Sequence, residues 1–444
     1  MAGIRSQLQR GIYAWRRYAT PDYARGTRWC ETGLRLDRDA REARELARLE
    51  QLIAGLRRNG FCDAPAFQRF SAAAGAAALR WLPVLTRRDL RELWPRLSKL
   101  LVARPDVYSY ATGGSTGEPV KYLRSQRLDR LAGGAVYAMH HILGWRPGME
   151  RLCLWGSERD IGRAEQEARG LRGWLQDTAV FGAYAPGQAE YESFAEAVWE
   201  RPGCAVYGFT SLLIECARVM LERGWQLGPG HVRAAWVGAE SLADAQRAVF
   251  REAFGVQLRD HYGSRECSSI AAECARGSRH VNPRYVVEVV DPETHEALPA
   301  GETGSLLVTD LFNEVTPLIR YEIGDIGAIE WRDCACGRRG PCLTELAGRV
   351  AALFTLPSGS KISALFFNHL LKDYPAVHQF QVLRTGASSF ELRYRGEELS
   401  DEARAGLIEA AARLLEGARV TVARFEKLDR CTSGKLVQYR DLTA

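Results

Sequence analysis

The order of apolar and polar positions predicts an α/β core in the middle of the chain. From residue 108 to about residue 262, short apolar runs alternate with helical runs. The apolar runs at 205–209, 234–237 and 256–262 are typical of buried strands, and the runs at 212–223 and 244–254 are typical of helices. This alternation favours a sheet with much parallel pairing.

Two further helices are predicted upstream of that alternation or at its start. Residues 37–59 carry apolar residues at helical spacing, and Asn59-Gly60 ends the pattern. The apolar face of this helix consists of Leu46, Leu49, Ile53 and Leu56. A second helical stretch begins at Ser125, directly after a segment rich in glycine, serine and threonine.

The pattern changes after about residue 284, where short apolar runs are joined by turns. Strands are predicted at 285–290, 305–309, 318–321 and 326–331, and Gly301-Glu302-Thr303-Gly304 is a clear turn. These runs predict a small β-rich unit at about 270–345. It would belong to a large N-terminal domain of residues 1–348 made of several subdomains.

The last part of the chain predicts a separate, small α+β domain over residues 349–444. Strands are expected at 377–384, 390–394 and 419–425. Ser400 is a suitable N-cap for a helix that extends through Glu416. The fold class expected for the whole chain is therefore α/β, with a small C-terminal α+β domain.

Composition limits the range of functions. The 444 residues are too many for one core, and 46% hydrophobic and 26% charged residues are typical of a globular protein. The net charge of +6 comes from arginines spread along the chain, which does not favour nucleic-acid binding. No apolar run is long enough for a membrane span. The 11 scattered cysteines favour a reduced, cytoplasmic protein with some metal-binding thiols.

The first thirty residues resemble a transit peptide only in composition, with six arginines and a single acidic residue, Asp22. Their aromatic residues favour a structural arm that docks on the rest of the protein instead. These aromatic residues are Trp15, Tyr18, Tyr23 and Trp29.

A run of small residues at 110–119 carries the strongest chemical signal. Gly113, Gly114 and Gly117 let the backbone approach an anion, while exposed N–H groups and hydroxyls can surround phosphate oxygens. The hydroxyls belong to Thr112, Ser115 and Thr116. The run lacks the Gly-Lys-Ser/Thr ending of a Walker A loop. A solvated Gly/Ser turn is the alternative interpretation.

Six short segments, in one fixed order, together resemble the adenylate-forming superfamily of acyl-CoA synthetases, adenylation domains and luciferases. The resemblance is in particular to the phenylacetate–coenzyme A ligase branch, and it extends from Tyr110 to Lys435. The segments are the loop 112–119, Gly238-Ala239-Glu240, Tyr262-Gly263-Ser264-Arg265-Glu266, 320–325, Gly348-Arg349 and Thr432-Ser433-Gly434-Lys435.

The resemblance implies a role for each segment in binding ATP. The loop hydroxyls and glycines would hold the β- and γ-phosphates, and the 238–240 turn would flank the adenine and the acyl pocket. Tyr262 would stack on adenine, and Asp325 would bind the ribose hydroxyls. Arg349 would contact ribose or phosphate near the hinge that precedes a mobile tail domain.

The remaining roles concern the reacting groups. Gly263-Ser264 would lie near the acyl-phosphate, and Glu266 would hold Mg²⁺. Lys435 would bind the carboxylate and the α-phosphate during adenylation. The chain departs from the family at Glu118, where many members have lysine, and at 350–352, where a hinge residue is usual.

A zinc site is predicted from Cys274, His280, Cys334 and Cys336, because three thiolates and an imidazole form a common structural zinc set. Cys342 is an alternative ligand, and unlinked reduced cysteines are the alternative interpretation. Other cysteines and histidines are expected to have a structural role. Cys267 lacks a neighbouring base that would make it a nucleophile. His261 is expected to be buried, and His140-His141 are expected to lie on a helix.

The expected function is ATP-dependent activation of a carboxylic acid, with Mg²⁺, followed by transfer to the thiol of coenzyme A. Aromatic residues in the segment where the family builds its acyl pocket suggest an aryl or other apolar acid, although they are equally compatible with the core. They are Trp145, Phe181, Tyr184, Tyr207 and Phe209.

Two other functions stay open at this point. The acceptor can instead be the phosphopantetheine thiol of an acyl carrier protein, or an amine. Alternatively, the chain is a zinc-bearing, nucleotide-binding protein without turnover. The oligomeric state is left open, with a homodimer as one option.

Overall fold

The computed structural model describes residues 2–111, 120–155, 178–182, 187–349, 353–355, 361–363, 367, 370–430 and 436–443. The N-terminal part is helical, with α1 (Ala2–Ala19), α2 (Pro21–Gly33), α3 (Arg38–Arg58), α4 (Pro65–Arg69) and α5 (Arg87–Ala103). Short 3₁₀ turns lie at Ala72–Ala74 and Ala76–Trp81. An antiparallel pair, β1 (Val107–Ala111) and β2 (Lys121–Ser125), precedes α6 (Gln126–Ile142).

The centre of the described molecule is one sheet of eleven strands with two halves of different character. The first half is parallel and has the order β7-β6-β5-β3-β4. Its strands are β3 (Arg151–Trp155), β4 (Thr178–Gly182), β5 (Cys204–Phe209), β6 (Val232–Gly238) and β7 (Leu258–Tyr262). Helices Gln188–Trp199, Thr210–Glu222 and Asp244–Phe254 connect or follow them.

The parallel strands are nearly continuously apolar because both faces of the sheet are covered. One face packs on helices Gln188–Trp199 and Thr210–Glu222 in the largest apolar cluster, which includes Phe194, Val206 and Leu213. The other face packs on α6, where Trp145 and Trp236 are buried.

The second half of the sheet is antiparallel and continues from β7 in the order β8-β9-β13-β12-β11-β10. Its strands are β8 (Ala271–Glu273), β9 (Arg279–Val281), β10 (Tyr285–Val290), β11 (Gly304–Asp310), β12 (Tyr321–Asp333) and β13 (Arg339–Arg349). The predicted β-rich segment is therefore part of the same sheet as the α/β core.

The prediction of two strands at 318–321 and 326–331 is wrong, since β12 is a single strand of 13 residues. Residues 318–320 form a bend before it. Arg320 has a φ of 46° there, and its N–H donates to the Thr309 hydroxyl at 2.9 Å. The irregular pairing of β12 with β11 and β13 explains why its sequence resembles two short runs.

The tail has its own four-stranded sheet, in the order β18-β17-β16-β19, and its own apolar cluster. Its strands are β16 (Val377–Gly386), β17 (Ser389–Gly396), β18 (Arg419–Arg424) and β19 (Tyr439–Asp441), with helix Asp401–Leu414 and a 3₁₀ turn at Leu371–Asp373. A short antiparallel pair, β14 (Leu353–Thr355) and β15 (Lys361–Ser363), precedes them. The domain boundary at 348/349 stays a prediction.

Three α-helices begin with an aspartate or serine side-chain cap, and the cap at Ser400 is the one that the sequence predicted. Asp37, Ser125 and Ser400 each accept a hydrogen bond from the backbone N–H three residues later, at 2.9, 3.1 and 3.2 Å. Among the described helices, none has both the length and the apolar character that crossing a membrane requires.

Candidate functional site

The carboxyl ends of three parallel strands form the base of the candidate site. β5, β6 and β7 end at Phe209, Gly238 and Tyr262, and adjacent parallel strands present their carboxyl ends at one edge of the sheet. The second and third predicted segments follow β6 and β7 directly. The fold therefore brings both segments to the same edge.

The Gly238-Ala239-Glu240 turn is held in an uncommon conformation by the groups around it. Ala239 has a φ of 72°, which costs free energy for a residue with a Cβ. The Glu240 carboxylate accepts the backbone N–H of Ser211 at 2.7 Å and the Ser211 hydroxyl at 3.1 Å. Glu240 thus fastens the turn to the start of helix Thr210–Glu222.

Tyr262 and Asp325 meet across the sheet although 63 residues separate them in the sequence. The Tyr262 hydroxyl donates to Asp325 Oδ2 at 2.8 Å, and Tyr262 is 7% exposed. Asp325 lies on β12 opposite Arg349 of β13, the position of the fifth predicted segment. The backbone thus places the third, fourth and fifth segments side by side.

A tight turn after β7 buries Glu266. Ser264 closes the turn: its N–H donates to the Cys267 carbonyl at 2.9 Å and its hydroxyl accepts the Cys267 N–H at 3.0 Å. Gly263 is needed here because a Cβ would lie 2.6 Å from the Ser269 nitrogen. Glu266 is only 4% exposed, so its carboxylate faces the protein interior.

Two neighbours stabilise the Glu266 carboxylate. Tyr321 donates its hydroxyl to Glu266 Oε1 at 3.2 Å, and Arg87 Nη2 lies 4.0 Å from the same oxygen. Burial, followed by the negative charge of Glu266, raises the pKa of Tyr321 well above its usual value. The phenol is therefore a neutral donor at physiological pH.

Sequence reasoning did not identify Arg87 as a functional residue. It is the first residue of α5, whose start is fixed by a capping box of Thr86 and Asp89. Leu85 bonds through its backbone to Arg320 and Glu322, at 3.0 and 2.9 Å, which fixes Arg87 beside Tyr321. The capping box was visible in the sequence, but the contact with Glu266 spans almost 180 residues.

Several predicted site residues lie outside the described residues. They are the phosphate-loop residues Thr112, Gly113, Gly114, Ser115, Thr116 and Gly117, together with Tyr184 and Lys435. The strands that flank the loop are described: Ala111 of β1 pairs with Lys121 of β2. Val120 packs in the same apolar cluster as Tyr262 and Tyr321, so the second end of the loop adjoins the site.

The tail contacts the site on both sides of the segment that contains Lys435. The N–H of Leu436 donates to Glu240 Oε1 at 3.1 Å, and Arg430 Nη1 donates to the Ser211 hydroxyl at 3.4 Å. A third contact pairs Arg395 of β17 with Glu215 at 2.8 Å. The described tail therefore docks on the 238–240 turn and on helix Thr210–Glu222.

The described pocket aromatics divide between two apolar clusters: Phe181 and Phe209 belong to one, and Trp145 and Tyr207 to the other. Tyr207 stacks on Trp236, with ring centroids 5.1 Å apart. Phe209 packs on Trp155 at 4.2 Å, and Phe181 packs edge-on against Phe194 in the same apolar cluster.

Trp145 lies away from the site edge. It is 1% exposed, and its indole N–H donates to the Met149 carbonyl at 3.1 Å, just before the amino end of β3. Trp145 is thus placed as a core residue, the alternative weighed from the sequence.

Three histidines follow the sequence expectations. His140 and His141 lie on α6, and the His261 imidazole is 2.8 Å from the Ser269 hydroxyl through Nε2. Burial lowers the pKa of His261 to about 4 and that of His140 well below its usual value. Both rings are therefore neutral, and His140 lies 5.3 Å from Trp236 and 5.7 Å from His261.

The four predicted metal ligands form one cluster away from this edge. The ligand atoms of Cys274, His280, Cys334 and Cys336 all lie within 4.8 Å of one another. Cys274 Sγ is 3.8 Å from Cys334 Sγ, and Cys336 Sγ is 3.2 Å from His280 Nε2. Such spacings suit a small tetrahedral ion held by thiolates and an imidazole.

Cys342 is not placed as a replacement for one of these four ligands. It pairs with His280 across β13 and β9, and its sulfur is 3.6 Å from Nδ1, on the other side of the ring from Cys336. Burial, followed by the charge of Arg338, lowers the pKa of His280 to about 4. A neutral His280 leaves Nε2 able to bind a metal while Nδ1 contacts Cys342.

No family model matches the chain, but curated proteins do. It is 28% identical over 289 residues to a phenylacetate–coenzyme A ligase of Thermus thermophilus, covering 62% of each chain. It is 35% identical over 277 residues to a phenylacetate–coenzyme A ligase of Aromatoleum evansii, covering 56% of this chain and 57% of that one. The chain thus spans about three fifths of the length of these relatives.

Solved structures match over almost the whole chain. A 2-hydroxyisobutyryl-CoA ligase in the postadenylation state, in complex with 2-HIB-AMP, has a TM-score of 0.71 at 20% identity, covering 93% of this chain and 91% of that one. The same ligase with 2-HIB-AMP and CoA in the thioesterification state has a TM-score of 0.57, covering 92% of each. These structures confirm the predicted α/β fold, and the curated relatives agree with the resemblance to phenylacetate–coenzyme A ligases.

Proposed function

We propose that this chain, a sequence relative of phenylacetate–coenzyme A ligases with the fold of adenylate-forming ligases, activates a carboxylic acid with ATP and transfers it to coenzyme A. The observation that carries the proposal is the grouping of Tyr262, Asp325 and buried Glu266 at one sheet edge. The 2.8 Å hydrogen bond between Tyr262 and Asp325 joins two segments with assigned nucleotide roles.

In the first step, a carboxylate oxygen of the acid attacks the α-phosphorus of ATP. The new bond joins that oxygen to phosphorus, and the bond to the β-phosphate oxygen breaks, so pyrophosphate leaves and an acyl-adenylate remains. Glu266 would hold Mg²⁺ on the phosphates, and Arg87 would add positive charge beside it. Tyr262 would cover the adenine while Asp325 accepts the ribose hydroxyls.

In the second step, the thiol sulfur of coenzyme A attacks the acyl carbonyl. The bond between the acyl carbon and the adenylate oxygen breaks, AMP leaves and the thiol proton passes to solvent. No protein nucleophile is needed, because the adenylate already supplies the leaving group. Buried Cys267, whose pKa burial raises well above the usual value, is therefore assigned no covalent role.

Lys435 is proposed to bind both the carboxylate and the α-phosphate in the first step. Support comes from its sequence neighbour Leu436, whose N–H is bonded to Glu240 in the 238–240 turn. The TM-score is higher with a postadenylation state than with a thioesterification state, which supports a tail placed more nearly as in the former. We propose that the tail reorients before the thiol attacks.

A structural zinc ion is proposed for the cluster of Cys274, His280, Cys334 and Cys336. The cluster joins the turn after β8 to the turn after β12, so the ion would fasten two distant parts of the sheet. Cys274 and Cys334 pack in an apolar cluster with Trp145, at the amino ends of the parallel strands. That location separates the metal from the reacting groups and fits a structural role.

Acid-dependent exchange of labelled pyrophosphate into ATP tests the first step. A panel of aryl and short hydroxylated acids should contain at least one that supports exchange in the wild type. Adding CoA, an acyl carrier protein or simple amines in turn then identifies the acceptor. ATP binding without exchange for any acid would instead favour a nucleotide-binding protein without turnover.

A further inference from the structure

Helix α1 is fixed to the body by one face. Gln9 is 3% exposed, and Tyr13 stacks on Tyr137 with ring centroids 5.8 Å apart. The Tyr13 ring also meets the edge of Trp145 at 5.1 Å, and its hydroxyl accepts from Arg151 Nη2 at 3.4 Å. These contacts set the rotation of the helix and therefore determine which residues face outward.

The outward face of α1 is apolar. Leu8 is 46% exposed and Trp15 is 63% exposed, although both are large hydrophobic residues. Leu8, Ile12 and Trp15 are four and three residues apart, so they lie in one row along the helix. They border a surface concavity of about 460 Å³, which Gly11 and Gln7 also line. Exposed apolar rows of this kind mark interaction surfaces.

The charge on α1 has only one sign. Its 18 residues include four arginines, at 5, 10, 16 and 17, and neither aspartate nor glutamate. The nearest acid in the sequence, Asp22, lies on α2 and pairs with Arg25 at 3.7 Å and Arg127 at 3.5 Å. The helix therefore combines an apolar row with positively charged residues and contains no acidic residue of its own.

We propose that α1 is a docking surface for an anionic lipid bilayer, lying in the plane of the interface. Leu8, Ile12 and Trp15 enter the boundary between headgroups and acyl chains. Arg5, three residues before Leu8, and Arg16, four residues after Ile12, are on the same side of the helix and supply positive charge for the lipid phosphates. Helices with tryptophan and leucine on one face and basic residues beside them bind membranes in this way. The proposal does not depend on the function of the nucleotide site.

Two features favour a lipid surface over a protein occupant. A two-fold contact between copies of α1 would place one positively charged helix against another, and α1 itself contains no acidic residue, which opposes such a dimer. The helix also packs on Arg151 and Trp145, at or near the amino end of β3, whereas the nucleotide site lies at the carboxyl ends. An acyl carrier protein on α1 would therefore be at the wrong end of the sheet to deliver a thiol.

Vesicle sedimentation of the full chain tests the proposal. We expect binding to vesicles of phosphatidylcholine with about 30% phosphatidylglycerol, weak binding to phosphatidylcholine alone, and release in about 0.5 M salt. Arg16→Glu, four residues after Ile12 and thus on the side of the apolar row, should weaken binding to the anionic vesicles at least about fivefold, which corresponds to roughly 1 kcal/mol per basic residue. The double variant Leu8→Gln/Trp15→Gln should abolish it.

Trp199→Gln is the matched control, because Trp199 is 57% exposed on a different helix. It should bind vesicles like the wild type, and all variants should keep the wild-type melting temperature. Equal binding to both lipid compositions, or no binding to either, would overturn the proposal. The proposal would also be overturned if the wild type did not bind vesicles but formed a dimer in light scattering, and if the double variant no longer formed that dimer.

Discussion

Replacing Tyr262 by phenylalanine isolates the contact between the two segments that are proposed to hold adenine and ribose. The substitution keeps the ring and removes only the hydroxyl that donates to Asp325 at 2.8 Å. A hydrogen bond to a charged acceptor contributes about 1.5–3 kcal/mol. Asp325 is half-buried, so water can replace part of the lost bond, and the lower end of that range applies.

A loss of about 1.4 kcal/mol corresponds to a tenfold change in an equilibrium constant. We therefore expect Tyr262→Phe to raise the KM for ATP in pyrophosphate exchange about tenfold, since Asp325 loses the donor that orients it. The maximal exchange rate should change less than about threefold, because the ring still covers the adenine and the phosphates are held elsewhere.

Tyr394→Phe is the matched control. Tyr394 is a fully buried tail residue whose hydroxyl accepts the Leu399 N–H at 3.2 Å, so its loss should lower stability without changing the KM for ATP. An unchanged KM in Tyr262→Phe, or an equal increase in both variants, would refute the assignment of Tyr262 and Asp325 to the nucleotide.

Three further outcomes follow from the geometry. Cys336→Ser should remove bound zinc and lower the melting temperature, whereas Cys62→Ser should keep the metal; metal analysis of both variants decides. Glu240→Ala should reduce pyrophosphate exchange about ten- to a hundredfold, because the Leu436 N–H loses its acceptor. Thioester formation from supplied acyl-adenylate should stay unchanged, and an equal loss in both assays would contradict this. The pKa of His261 is lowered to about 4 by burial, so its stabilising effect is complete above pH 6.5 and is lost as the pH falls toward 4. His261→Asn should therefore reduce the loss of unfolding free energy between pH 7 and pH 5 by up to about 2 kcal/mol in urea titrations, and an unchanged pH dependence would be the contrary result.

Local sequence signals predicted the elements well where one residue determines a boundary. Ser400 caps its helix as expected, and the helical stretches predicted from residues 37 and 125 begin there with caps at Asp37 and Ser125, because a cap involves only residues three apart. The cysteine and histidine spacing likewise predicted a cluster that the structure brings together. A helix-cap side chain and a metal-binding thiol or imidazole each have few possible partners, so the residue type alone indicates the contact.

Contacts between distant segments were not predictable in the same way. Nothing in the sequence near Arg87 or Leu436 indicates that they meet Glu266 and Glu240, since these contacts depend on how β12 and the tail pack. The assignment of aromatic residues to an acyl pocket stays a prediction for a related reason. Aromatic residues suit a core as well as a pocket, and Trp145 proved to be enclosed on all sides.

The central claim is that the separated segments surround one ATP molecule whose α-phosphorus passes to an organic acid. The most direct measurement compares acid-dependent pyrophosphate exchange in the wild type and in Lys435→Ala, with ATP binding measured in parallel. We predict that the wild type exchanges with at least one acid and that Lys435→Ala binds ATP but does not exchange. Full exchange in the variant, or ATP binding without exchange in the wild type across the whole panel, would contradict the account.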